Sequence, residues 1–246
     1  MIVPNVRDAF GRSEAAFLIW LLSRGGEQER DRLEFRLHEE GFDSILDDPR
    51  TLNAILTGRE FSTAPQSVVF YVLVRHALLE DGITDRQLAD YLAALLLAFG
   101  RTQRAFRVEN GEKEFFHLVD ILAAGNESSG EQAFMLRAHL GEFALWLSGL
   151  FPDHITARVH RRGAPGIRYY EELGSAGYRM ASRYSDAEQQ GLDGVYLACA
   201  DAFRGLRTAL NRVADRHLFP VRGDRVDRLL RHIADGFNSG EGGALA

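Results

Sequence analysis

Residues 130–150 read GEQAFMLRAHLGEFALWLSGL, and they carry apolar side chains around most of a helical circumference. Each residue of an α-helix advances about 100° around its axis, so Phe134, Leu140 and Trp146 point in clearly different directions. A helix that is apolar on most sides lies inside a protein rather than on its surface. Pro152 should end the segment. We therefore expect a central helix near 130–150.

A second segment, PQSVVFYVLVRHALLE at residues 65–80, is apolar on nearly every side and predicts a second central helix. Helix start signals recur elsewhere: Asp48 precedes Pro49, and Thr84 with Gln87 has the spacing of a capping box. No segment alternates apolar and polar residues as a strand does. The sequence predicts an all-α fold, a compact multi-helix bundle of about nine to ten helices.

The predicted organisation is a single all-helical domain over residues 1–236, followed by a flexible C-terminal tail over 237–246. The tail has too few apolar side chains to pack. The longest expected break between helices is an irregular segment over 152–165, which begins at Pro152.

Composition sets the outer limits on function. The 246 residues carry a net charge of −6, which disfavours general binding to nucleic acid. Arginine supplies every basic residue except Lys113, as expected of a bacterial-like, high-GC coding bias. The one cysteine, Cys199, excludes an internal disulfide and is expected to be buried. No apolar run reaches the roughly 18 residues of a membrane helix, and no signal peptide is evident, so we expect a cytoplasmic location.

A basic and aromatic segment runs from about 158 to 184 and includes HRRGAPGIRYYEELGSAGYRMASRY. Between residues 156 and 184, six arginines against two glutamates leave a local excess of +4. Tyrosine and arginine are typical anchors of protein interfaces. The predicted binding residues are Arg161, Arg162, Arg168, Tyr169, Tyr170, Gly174 and Gly177.

Two interpretations of this segment stay open. The glycines fall on the inward half of a helix, where the simplest explanation is close packing of a neighbouring helix. Alternatively, they leave room for a ligand, and the arginines supply donors at a helix N-terminus, where anions are favoured.

A polar cluster is predicted between the two central helices. Arg75 and His76 interrupt the apolar surface of one, and His139 and Glu142 interrupt that of the other. Buried charges need partners, so these four side chains are expected to pair with one another, Arg75 with Glu142 in particular. Such a cluster is either a structural network or a small-molecule or catalytic site.

A metal site was also considered, because Glu114 with His117, and His139 with Glu142, are each three residues apart. His117 points away from the stripe that contains Leu118 and Val119, and no further carboxylate pair completes a metal-binding pattern. We therefore predict neither a metal nor a cofactor.

Three functions remain from the sequence. The first is a non-enzymatic interaction protein that contacts a macromolecular partner through residues 158–184; this partner is another protein or a second copy of the chain, with nucleic acid disfavoured. The second is a small-molecule binder or enzyme that uses the buried polar cluster. The third is a self-assembling structural protein.

Overall fold

The computed structural model describes residues 1–57, 64–100, 104–108 and 114–219. Within these ranges the chain forms thirteen α-helices and no β-strand, and its one strand-like contact is a bridge between Arg107 and Glu114. The prediction of an all-α fold is confirmed, with a few more helices than expected. Residues 220–236 of the predicted helical domain and the tail predicted over 237–246 lie outside the described residues.

The helices of the first half of the chain are α1 Arg12–Ser23, α2 Glu27–Glu40, α3 Phe42–Leu46, α4 Pro49–Thr57, α5 Gln66–Glu80 and α6 Arg86–Phe99. Those of the second half are α7 Leu118–Glu127, α8 Gly130–Leu150, α9 Pro152–Arg162, α10 Ile167–Ala181, α11 Ser185–Gln189, α12 Asp193–Asp201 and α13 Phe203–Val213. A short 3₁₀ turn lies at Arg104–Phe106, and a π-helical turn, Ala214–Leu218, follows α13.

The two segments that are apolar all round do form the interior helices. α5 packs against α6, α13 and α4, and α8 packs against α10, α7 and α13. Apolar side chains from residue 2 to residue 214 make one continuous core around them. Within the described ranges, none of the helices combines the length and the apolar character needed to cross a lipid bilayer.

Local signals explain where several helices begin. The Asp48 carboxylate accepts a hydrogen bond from the backbone N–H of Arg50 at 2.9 Å, which caps α4 as predicted. At α6 the prediction of Thr84 as the cap is wrong by one residue. Asp85 is the N-cap, and its carboxylate accepts hydrogen bonds from the backbone N–H groups of Gln87 and Leu88.

The segment expected to be irregular after Pro152 is instead mostly helical. Residues 152–162 form α9, which starts on Pro152 and ends before Gly163. Proline suits the first position of a helix because its fixed φ is already helical and its missing N–H is not needed there. Gly163 adopts a left-handed conformation with φ 59°, which glycine accepts without strain. Pro152 therefore ends α8 and also starts α9.

Candidate functional site

The four polar residues of the predicted cluster lie in two separate places. On α5, Arg75 is 2% exposed and donates two hydrogen bonds to the Asp47 carboxylate, at 2.8 and 2.9 Å, and one to the carbonyl of Thr84. The neighbouring His76 ring lies 3.0 Å from the carbonyl oxygen of Leu46. The expected pairing of Arg75 with Glu142 is therefore wrong, because Arg75 pairs with Asp47 and so connects α5 to the end of α3.

The other two residues do lie together on α8, close to the N-terminal segment. One Glu142 carboxylate oxygen accepts hydrogen bonds from the backbone N–H of Ile2 at 3.2 Å and from the Tyr91 hydroxyl at 3.3 Å. His139 Nδ1 lies 3.8 Å from the other oxygen. Burial raises the pKa of Glu142, but His139, the positive charge at the first residue and the Ile2 amide lower it below its ordinary value. Glu142 is thus a buried carboxylate at neutral pH.

Three buried tyrosines surround this carboxylate and join four helices. The hydroxyls of Tyr91 on α6 and Tyr178 on α10 lie 3.3 Å apart, and the ring of Tyr196 on α12 stacks on Tyr178 at 5.7 Å. Burial raises the pKa of all three phenols, so they remain neutral. Burial also raises the pKa of the Cys199 thiol, as befits a packing residue. The arrangement stabilises the core.

Gly174 and Gly177 are packing residues. A Cβ atom on Gly177 would lie 2.9 Å from the backbone nitrogen of Gly141 on α8. A Cβ on Gly174 would lie 2.8 Å from the Cβ of Ala144 and would overlap the ring of Phe203. The two glycines therefore allow α10 to contact α8 directly, and the interpretation that they leave room for a ligand is wrong.

The three predicted arginines lie on two helices, α9 and α10. Arg161 is exposed in the last turn of α9, where positive charge interacts favourably with the helix dipole. Arg168 lies in the first turn of α10, is exposed, and pairs with Glu172 at 2.9 Å. A shared anion site of Arg161, Arg162 and Arg168 at the start of α10 stays a prediction.

The two predicted tyrosines do line a surface groove of about 300 Å³. Its lining includes Tyr169 and Tyr170 of α10 together with Phe116 and Val119, at the start of α7. Phe143 of α8 also lines it. Three helices, of which α7 and α8 are consecutive in the chain, thus meet around one concave, aromatic surface.

The apolar lining of this groove continues onto the outer surface of the protein. Phe116 and Val119 are each 55% exposed, so more than half of each side chain faces outward. Below them the ring of Phe106 lies 5.2 Å from that of Phe116 and 5.9 Å from that of Phe143. These aromatic contacts hold the exposed Phe116 in place. Exposed apolar side chains grouped around a concavity are typical of interaction sites.

One charged side chain lines the groove among the described residues. Arg158 of α9 is half-buried there, and in the described part of the chain no carboxylate lies within 4 Å of its guanidinium group. Burial raises the pKa of Tyr170, and the positive charge of Arg158 partly offsets that rise. Arg158 is thus close enough to Tyr170 to influence its hydroxyl, and its charge is open to an external partner.

A larger cavity of about 700 Å³ lies between the N-terminal segment and helices α5 and α6. Its described lining, from Met1 to Val6 and from Gln66 to Gly100, contains no ionisable side chain. The groove contains an arginine and two tyrosines, so it offers more groups for ligand recognition than the larger cavity does.

The histidine and carboxylate pairs considered for metal binding are separated. Glu114 pairs with Arg107 at the surface, and His117 caps α7 at an exposed position. In the ranges that the structure describes, no three His, Cys, Asp or Glu side chains are placed to share a metal ion. Comparisons of the chain with protein-family models, with curated proteins and with solved structures gave no match.

Proposed function

We propose that this protein is a non-enzymatic interaction protein that binds another macromolecule through the surface formed by α9, α10 and the start of α7. The observation that carries the proposal is the groove in which Tyr169 and Tyr170, from the basic and aromatic segment, face the exposed Phe116 and Val119. Aromatic anchors beside an arginine are the composition of interface hot spots.

The size and shape of the groove support a macromolecular partner. Its volume of about 300 Å³ lies at the lower end of the range that holds drug-sized ligands, about 300–1,000 Å³. One or two side chains of a partner fit this volume. A partner with its own surface would also cover the outward halves of Phe116 and Val119, which a ligand enclosed in the groove would leave in water.

The two charged groups of the predicted polar cluster, Arg75 and Glu142, support a non-enzymatic role, because both are engaged within the fold. Arg75 is held by Asp47, and the Glu142 carboxylate accepts bonds from Ile2 and Tyr91. Catalytic acids and bases need access to a substrate atom. In the described core these groups serve to join helices instead.

The proposal is tested by placing a photo-crosslinking amino acid, benzoylphenylalanine, at position 119 in the cell of origin. Leu197 of α12 provides the matched control, because it is also an exposed aliphatic residue on a helix, at 46% exposure. We expect a discrete adduct from position 119, none from position 197, and loss of the adduct when Tyr169→Glu is added.

Equal adducts from both positions, or none from position 119, would contradict the proposal. Light scattering on the purified chain tests the remaining alternative, in which the protein self-assembles. A dimer that the Val119→Glu variant dissociates would mean that this surface joins two copies of the chain rather than a different partner.

A further inference from the structure

From the chemistry of the groove we infer its ligand class: a peptide segment that places an apolar side chain between α7 and α10 and an adjacent carboxylate on Arg158. This inference rests on the proposed function, because it names the partner of that same surface. The two parts of the ligand follow from two different features of the groove.

The carboxylate follows from the state of Arg158. Its guanidinium group is half-buried beside Tyr170, and no carboxylate of the described chain lies within ion-pair distance of it. Of the buried arginines, Arg75 and Arg207 are paired with acidic side chains, and Arg137 donates a hydrogen bond to the amide oxygen of Asn126. A partly desolvated charge without a counterion is unfavourable, and an incoming Asp or Glu would supply one.

Two neighbouring features favour the same charge. Gly166, the N-cap of α10, supplies no side chain to the first-turn N–H groups of that helix, next to the groove residue Pro165. Free N–H groups at a helix N-terminus attract carboxylates. On α9 the exposed Arg161 adds positive charge three residues beyond Arg158. An acidic ligand therefore meets favourable charge along one side of the groove.

The apolar part of the ligand follows from the rest of the lining. Phe143 and Leu147 of α8 form the floor, and the exposed sides of Phe116 and Val119 form the rim. Aromatic side chains of a partner can pack edge-to-face on such rings. Phosphate would also suit Arg158 and a base could stack on Phe116, but the net charge of −6 favours a peptide over a nucleic acid.

The experiment begins with a displayed library of random short peptides, selected on the immobilised parent chain and counter-selected on the Val119→Glu variant. The strongest peptide is synthesised with a fluorescein label, together with a copy in which Asn and Gln replace every Asp and Glu. Fluorescence anisotropy then measures both peptides on the parent and on Arg158→Gln, Arg158→Lys and Arg12→Gln. Arg12 is an exposed arginine on α1 that does not line the groove.

We expect the selected peptides to combine an aromatic or branched apolar residue with neighbouring acidic residues. The parent should bind the acidic peptide about tenfold more tightly than its amide copy, as for one charge-assisted hydrogen bond. Arg158→Gln should bind the two copies equally. Arg158→Lys should keep part of the preference, and Arg12→Gln should behave as the parent does.

Three results would overturn the inference. The carboxylate part of the inference would be refuted if the selected peptides lacked acidic residues, or if the parent bound both copies equally. The proposed function would then still stand. If the parent bound a labelled oligothymidylate more tightly than the peptide, and Arg158→Gln lost that binding, the ligand would be a nucleic acid instead of a peptide. Failure to select any peptide that depends on Val119 would overturn both the inference and the proposed function.

Discussion

A single methyl group at Gly177 should destabilise the protein, although alanine is the better helix former. In Gly177→Ala the new Cβ would lie 2.9 Å from the backbone nitrogen of Gly141 and 3.0 Å from the carbonyl oxygen of Arg137. Both are backbone atoms of α8, so no side-chain rotation can relieve the contact. The two helices would have to move apart by about half an ångström to restore an ordinary separation.

The expected magnitude is the difference between two opposing effects. Alanine in place of glycine stabilises a helix by up to about 1 kcal/mol. Adding a methyl group to a packed contact costs about 1–3 kcal/mol, and the rigid backbone of α8 places this site in the upper part of that range. The net result should be a loss of about 1–2 kcal/mol in the free energy of unfolding.

Urea unfolding followed by far-ultraviolet circular dichroism measures this loss, and Gly194→Ala is the matched control. Gly194 lies near the start of α12, and a Cβ there would meet no atom within 4 Å. Its substitution should leave stability unchanged or raise it by up to about 1 kcal/mol. If Gly177→Ala proves as stable as the parent, direct glycine contact between α8 and α10 is not what limits their approach.

Two further predictions concern buried and capping carboxylates. Glu142→Ala leaves the Ile2 amide without its acceptor and leaves the Tyr91 hydroxyl only the Tyr178 oxygen, so the free energy of unfolding should fall by about 3 kcal/mol in chemical denaturation. Burial raises the pKa of Asp48, but hydrogen bonds from Arg50 and Arg36 outweigh it and lower the pKa to about 2. A lowered carboxyl pKa stabilises the fold above about pH 4, and this stability disappears as the pH falls towards 2, by about 2 kcal/mol.

Each of these two predictions has its own control. Asp120→Ala removes an exposed acid from α7 and should leave the unfolding midpoint unchanged; an equally small effect of Glu142→Ala would show that its carboxylate is dispensable. Asp48→Asn keeps a capping oxygen but cannot ionise. Its deficit relative to the parent should therefore shrink as the pH is lowered, and a deficit that stays constant would refute the assignment of the shift to Asp48.

The interior helices could be predicted because their signal is local. α5 and α8 are apolar around their circumference, and that property depends only on residues within each helix. The start of α9 is a local signal as well. Pro152 predicts the end of one helix, and proline equally suits the first position of the next. Pro152 has both roles here, because residues 152–162 form a helix.

The partners of Arg75 could not be predicted, because Asp47 lies 28 residues away on a different helix. Helical phase indicates that Arg75 points inward, but it does not say which element meets it there. From phase alone, α8 is the expected partner of Arg75, because it is an apolar helix with a carboxylate. α3 is only five residues long and gives no comparable signal. Short helices carry too few residues for a clear periodic signal.

The groove was foreseen only in part, for a similar reason. Tyr169 and Tyr170 are predicted from the composition of their segment, and they do line it. Phe116, Val119 and Arg158 are not among the predicted binding residues. Helical phase places Val119 in an apolar stripe typical of the interior, but its 55% exposure depends on how other helices pack around α7, which is a tertiary property.

The glycine contact between α8 and α10 has a consequence for recognition. Phe143 lies two residues after Gly141 on one helix, and Tyr170 lies one turn before Gly174 on the other. The spacing of α8 and α10 at their glycines therefore contributes to the distance between Phe143 and Tyr170, which both line the groove. A methyl group at Gly177, in the interior, would then change which side chain the groove accepts without altering any atom that the bound peptide contacts.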